Sequence, residues 1–209
     1  MSAEPSQSLP FRVISQQLRQ AAAFVWRRTR SAVEGSLHPW RRRRALEQIA
    51  RVQPRSVLMV CLGNICRSPL AEGILKHKAK QAGLHWQIDS AGTNGYHVAE
   101  APHRLSQKVA RLNGIDICNQ RARQFVKEDF DRYDKIYAMA DDVVDDMRII
   151  AKDKYDPSKV DLFMNELYPG KNYSVPDPWY GPEPGYHEVY KMINEVSEAI
   201  VTKYGRVVL

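Results

Sequence analysis

The stretch Ser56-Val-Leu-Met-Val-Cys-Leu62 constrains the fold more than any other part of the chain. Its six consecutive apolar residues, Val57–Leu62, leave no polar side to turn toward water. Such a run suits a central strand of a parallel sheet, covered by helices on both faces. Ser68-Pro69-Leu-Ala-Glu72 then predicts a helix running through Lys80, with proline in its first turn. Trp86–Ser90, Lys135–Met139 and Val160–Met164 read as further strands. They alternate with helical stretches near Pro102–Asn113, Asp141–Ala151 and Gly185–Lys203. In the last of these Val189, Met192, Ile193, Val196 and Ile200 share one helical face. This alternation predicts an α/β domain built on a parallel sheet, with its ligand beyond the carboxyl ends of the strands.

Charge divides the chain. Residues 1–54 carry ten arginines, no lysine and three acids, and with them the whole net charge of +7. Residues 55–209 carry 21 residues of each sign. Two parts are therefore expected, a basic extension over 1–54 and a neutral domain over 55–209. The pI of 9.3 is no nucleic-acid signature of the domain. Apolar content of 44% and charged content of 26% exclude a disordered or collagenous chain. No apolar run approaches the roughly 20 residues of a membrane span, and the start lacks the apolar core of a signal peptide. Three cysteines, an odd number, argue for a reducing compartment, so a cytoplasmic protein is expected.

Within the extension, residues 1–10 are polar and read as disordered. From Phe11 to Arg30 a helical period sets Phe11, Ile14, Leu18 and Val25 opposite Arg12, Arg19, Arg27 and Arg30. Gly35 and Pro39 interrupt it, and Arg41–Arg44 follow as a basic run. Three readings stand: an arm disordered or packed on its own domain, a helix gripping an anionic membrane or acidic partner through residues 11–44, and an organelle-targeting presequence.

The chemistry is expected directly after the first strand, at Cys61-Leu-Gly-Asn-Ile-Cys-Arg67-Ser68-Pro69. A short loop between strand and helix turns successive N–H groups of Leu62, Gly63, Asn64, Ile65 and Cys66 inward as a nest for an anion, and the helix N-terminus adds partial positive charge. Gly63 and Asn64 tolerate the left-handed backbone that such a loop needs. Arg67 offers a planar fork for two phosphate oxygens. The same positive field favours a thiolate at Cys61, and Ser68 is positioned to donate its hydroxyl to it. A core cysteine, or half a zinc site made of Cys61 and Cys66, competes with this reading. Zinc is disfavoured because Cys118 is the only other thiol.

Val60-Cys-Leu-Gly-Asn-Ile-Cys-Arg-Ser-Pro69 resembles the signature of the low-molecular-weight protein tyrosine phosphatases. A second motif, Asp177-Pro178-Trp179-Tyr180-Gly181, resembles the family's Asp-Pro-aromatic-Tyr loop. The likeness spans about Arg55 to Lys203. It implies a four-stranded parallel sheet flanked by helices and hydrolysis of phosphotyrosine without metal or other cofactor. It implies Cys61 as nucleophile, Arg67 as transition-state ligand, Asp177 as general acid then base, and Trp179 and Tyr180 as walls for the phosphotyrosine ring. It further implies that Ser90 supports the loop through Asn64 and that Cys66 pairs with Cys61 in a reversible disulfide under oxidant, a packing cysteine being the other reading. None of the six histidines has a catalytic spacing, so surface or packing roles are expected.

The chain departs from the family pattern in two places. Asn119-Gln120-Arg-Ala-Arg-Gln124 lacks the usual histidine, so an amide is expected to brace Asn64 instead. Met139-Ala-Asp-Asp-Val143 lacks the usual Met-Asp-x-x-Asn. Arsenate reduction on the same fold would need further shuttling cysteines. A phosphotyrosine-binding module without turnover would be expected to lack Cys61 or Asp177.

Overall fold

The computed structural model describes residues 54–205. The expectations for the extension, namely its disordered start, the Phe11–Arg30 helix and the Arg41–Arg44 run, lie outside the described residues.

Four parallel strands form one sheet: β1 (Ser56–Cys61), β2 (Gln87–Gly92), β3 (Lys135–Ala138) and β4 (Val160–Leu162), in the order β2-β1-β3-β4. Among the described residues, five α-helices accompany them: α1 (Arg67–Gln81), α2 (Arg104–Leu112), α3 (Asp129–Arg132), α4 (Asp141–Ala151) and α5 (Glu183–Tyr204). Because strand side chains alternate between faces, β1 feeds two cores. Val57, Met59 and Cys61 pack with Leu70 and Ile74 of α1 and Val189, Ile193, Val196 and Ile200 of α5. Leu58 and Val60 pack on the other face with Phe130 of α3 and Val143 and Met147 of α4. The continuous apolar run is thus explained by cover on both sides, and each such side chain contributes about 1.5–3 kcal/mol on burial. A third, smaller cluster of Ile65, Cys66, Val109, Ala122 and Tyr186 lies under the loop after β1.

The expected architecture is observed, with three local differences. The predicted strand Val160–Met164 ends at Leu162, and Phe163–Glu166 turn into a 3-10 helix whose Phe163 and Met164 are buried. Short apolar runs do not distinguish a strand from a buried helical turn. β2 starts after Trp86 and continues to Gly92, whose register partner is Cys61. The single-turn helix α3 has no clear periodic signal and is missed by pattern reading. Among the described residues, no helix is long and apolar enough to cross a membrane.

Candidate active site

β1 ends at Cys61 and α1 begins at Arg67, so the five residues between them turn over the carboxyl end of the sheet. Cys66 precedes α1 without a side-chain cap, leaving the first N–H groups of the helix to an anion. The loop's tight curvature depends on Asn64, at φ +56°, and on Gly92 of the neighbouring strand. A Cβ on Gly92 would stand 2.8 Å from the Leu62 carbonyl oxygen and 2.9 Å from the Asn64 nitrogen. The loop passes directly over bare backbone.

Cys61 Sγ lies 3.0 Å from Ser68 Oγ and accepts the Asn64 N–H at 3.3 Å. In the first contact either atom can be the donor, and the Ser68 hydroxyl also reaches the Ala91 carbonyl oxygen at 3.3 Å. The Asn64 amide nitrogen donates to Ser68 Oγ at 2.9 Å and to Ser90 Oγ at 2.8 Å, and Ser90 donates onward to the buried Glu72 at 2.6 Å. The bracing expected from Ser90 is therefore present. The bracing expected from an Asn119 or Gln120 amide is not observed. Asn64 Oδ1 instead accepts the Arg123 main-chain N–H at 2.9 Å, while the Gln120 side-chain oxygen is buried without a partner among the described residues. A backbone donor has replaced a side chain, which no residue pattern could reveal.

Arg123 is itself clamped. Its guanidinium meets Asp89 at 2.9 Å and Asp129 at 3.0 Å, and Tyr133 donates to Asp89 at 2.8 Å. Burial opposes ionisation of Asp89, but the Arg123 charge and these hydrogen bonds prevail and hold its carboxyl below the ordinary range.

Arg67 is buried within this arrangement. One terminal nitrogen donates to the Val175 carbonyl at 3.2 Å, and the other meets Asp177 at 2.5 Å. Its Nε is buried and unpaired among the described residues. A guanidinium with a buried N–H left unpaired suits an anionic oxygen. Asp177 also accepts the Trp179 N–H at 3.1 Å, so carboxylate and indole belong to one turn.

The cleft of about 210 Å³ is lined by Cys61, Leu62, Gly63, Ile65, Cys66 and Arg67 on its floor, and by Asp177, Trp179 and Tyr180 on one side. Asn94, Tyr96 and His97 complete the lining and were not singled out by sequence reasoning. The signal that points to them is topological, since they follow the carboxyl end of β2 beside β1. Trp179 is partly covered, whereas Tyr180 is 94% exposed. Ser68 lies beneath the floor, against the sulfur. Cys66 is buried; burial above all pushes its thiol up to about 12, and its sulfur contacts the Tyr186 hydroxyl at 3.8 Å. Among the described residues, no cluster of three His, Cys, Asp or Glu side chains is arranged to hold a metal ion.

Comparison with known proteins identifies the family. The family model described as low molecular weight phosphotyrosine protein phosphatase matches residues 56–207. The chain is 36% identical over 148 residues to the low molecular weight protein-tyrosine-phosphatase YfkJ of Bacillus subtilis, covering 70% of this chain and 93% of that one. It is 33% identical over 158 residues to the human low molecular weight phosphotyrosine protein phosphatase, covering 74% and 99%. The crystal structure of YfkJ superposes with a TM-score of 0.65, covering 71% of this chain and 92% of that one. Vibrio vulnificus Wzb, solved in complex with benzylphosphonate, superposes with a TM-score of 0.64 at 25% identity, covering 71% and 98%. With a family match over most of its length and relatives above 30% identity, the chain belongs to the low molecular weight phosphotyrosine protein phosphatase family, and with it to the protein tyrosine phosphatases.

Proposed function

We propose that the protein hydrolyses phosphotyrosine in proteins, and other aryl phosphates, through a phosphocysteine intermediate. The Cys61 sulfur attacks phosphorus as a thiolate, forming an S–P bond while the P–O bond to the ring breaks. Asp177 gives its proton to the departing phenolate oxygen. A water molecule then passes a proton to the Asp177 carboxylate, its oxygen attacks phosphorus, and the S–P bond breaks to release phosphate and the Cys61 thiolate. The main-chain N–H groups of Leu62, Gly63, Asn64, Ile65 and Cys66 hold the phosphoryl oxygens together with Arg67. Ser68 steadies the thiolate, and Trp179 and Tyr180 flank the ring.

One observation carries this reading: Cys61 Sγ receives the Asn64 N–H at 3.3 Å at the floor of a cleft that also holds Arg67 and Asp177. A binding module without turnover would have no use for the carboxylate. Arsenate reduction would need shuttling thiols, and Cys118, bonded to Asp116 at 3.3 Å, is the one cysteine outside the loop. The test is hydrolysis of a chromogenic aryl phosphate in the presence of chelator. Cys61→Ser should bind inorganic phosphate without turning over, and full activity in that variant would refute the nucleophile. We also propose that residues 1–54 are separate from this chemistry and attach the enzyme to anionic surfaces, a reading supported by their net charge of +7.

A further inference from the structure

Trp179 is held by more than its own loop. The His97 imidazole lies against it with ring centres 5.4 Å apart and a tilt of 54°. The His103 imidazole meets it edge-on at 5.2 Å and 63°. Both rings are fixed from behind. His97 Nδ1 is 2.9 Å from Glu100, and the ring edge rests on Gly63, where an added Cβ would meet His97 Cδ2 at 3.1 Å. His103 stacks on the buried Tyr186 at 5.2 Å and 21°. Its main-chain N–H donates to the Ile65 carbonyl at 2.7 Å, and its side chain accepts the Leu105 N–H at the start of α2. The two imidazoles therefore connect the phosphate loop on one side to the indole on the other.

The indole in turn fixes the acid. Trp179 donates its main-chain N–H to Asp177 Oδ1, and Gly181 N–H to the Pro178 carbonyl closes the following turn at 2.9 Å. Pro178 restricts the residue before it, so little backbone freedom remains between carboxylate and ring. Phosphate oxygens taking up Arg67 would compete with its direct contact to Asp177. The packing of Trp179 is then what keeps the carboxylate over the leaving oxygen. We infer that His97 and His103 form an imidazole cradle for Trp179 and are positioning residues for the Asp177 acid. This rests on the phosphatase reading of the site and adds to it two residues with no part in the proton transfer itself. Burial, with help from Arg104, holds the His103 imidazole below its ordinary value, which keeps its ring nitrogen free to accept the Leu105 N–H.

The test uses the full-length His97→Ala, His103→Asn double variant, because asparagine keeps the cap on α2 while removing the ring. kcat/KM, which covers the step that releases the phenol, is measured for phenyl phosphate and for dinitrophenyl phosphate. Phenyl phosphate needs a proton to leave; the dinitrophenolate does not. The cradle predicts a loss of about tenfold on the first and less than about twofold on the second, as misplacement of an acid would give. In an Asp177→Ala background the double variant should change neither further. Equal losses on both esters, or none on either, would overturn the inference. A second measurement needs no turnover: the heteronuclear NOE of the Trp179 indole, identified by its disappearance in Trp179→Phe, should fall in the double variant. An unchanged NOE would overturn the cradle even if the parent enzyme were active. An inactive parent would instead refute the phosphatase reading, with the NOE still deciding the cradle.

Discussion

Arg67 and Asp177 are joined: a terminal guanidinium nitrogen stands 2.5 Å from a carboxylate oxygen, with the arginine buried and the aspartate 33% exposed. The group proposed to bind phosphate and the group proposed to protonate the leaving oxygen therefore hold each other in place before substrate arrives. On the proposed mechanism, an entering phosphate dianion would compete with Asp177 for the guanidinium and free the Asp177 side chain toward the leaving group. Removing the carboxylate should have opposite effects on binding and on chemistry. In Asp177→Ala, inhibition by inorganic phosphate should become several-fold tighter while aryl-phosphate hydrolysis slows by about 10²–10⁴-fold. Weaker phosphate binding in this variant would show that the pair does not compete with substrate.

The close approach at Gly92 predicts a specific lesion. Alanine there would put a methyl group within 2.8 Å of the Leu62 carbonyl oxygen and 2.9 Å of the Asn64 nitrogen, both main-chain atoms that no rotamer change can move. Gly92→Ala should cost about 1–3 kcal/mol of stability. It should also lower activity at temperatures where the variant is fully folded, because the loop itself must shift. Thermal melts alongside kcat at a low temperature separate the two effects.

Acid should weaken the clamp behind the loop. The folded Asp89 carboxyl lies below its ordinary value of 3.8, so it adds stability that is complete above that value and is lost as pH falls through the folded one. Asp89→Asn should therefore be less stable than the parent at neutral pH, with the gap narrowing below about pH 4. Melting temperatures of both proteins across this range provide the check. A gap independent of pH would mean that the charge of Asp89 is not what matters.

Cys66 bears on oxidation. Peroxide should convert the Cys61 thiolate to a sulfenic acid, and attack by the Cys66 sulfur would form the S–S bond with loss of water. Since burial above all pushes the Cys66 thiol up to about 12, the reacting thiolate is scarce at neutral pH, and disulfide formation should accelerate as pH rises. Mass spectrometry should find the oxidised protein lighter by two hydrogens, and reductant should restore activity. If Cys66→Ala recovers as fully as the parent, Cys66 is a packing residue.

The extension makes the last prediction. Full-length protein should sediment with anionic vesicles at low salt, each arginine near the surface adding about 1 kcal/mol, and salt should release it. A chain starting at Arg55 should stay in solution and keep its aryl-phosphatase activity. Equal behaviour of the two proteins would remove the membrane reading.

Periodicity and loop chemistry made much of the site legible in the sequence. The unbroken apolar run at Val57–Leu62 dictated a strand covered on both faces, and the Cys61 to Pro69 stretch has the composition of an anion loop. Those are local properties, expressed by residues adjacent in the chain. What tertiary structure alone decided comes from parts of the chain far apart. The backbone N–H of Arg123 braces Asn64 because the segment around it pairs beside the end of β2, a role that any residue with an N–H could fill and no composition reveals. His97 and His103 meet Trp179 because two loops converge at the same end of the sheet. Phe163 leaves the strand for a 3-10 turn with its ring still buried in the core, which an apolar run alone does not distinguish from a strand. The sequence determined which groups are available and which short segments curve around them. Chain topology determined which main-chain atoms and rings meet those groups, because such contacts depend on where distant backbone passes and not on what its side chains are.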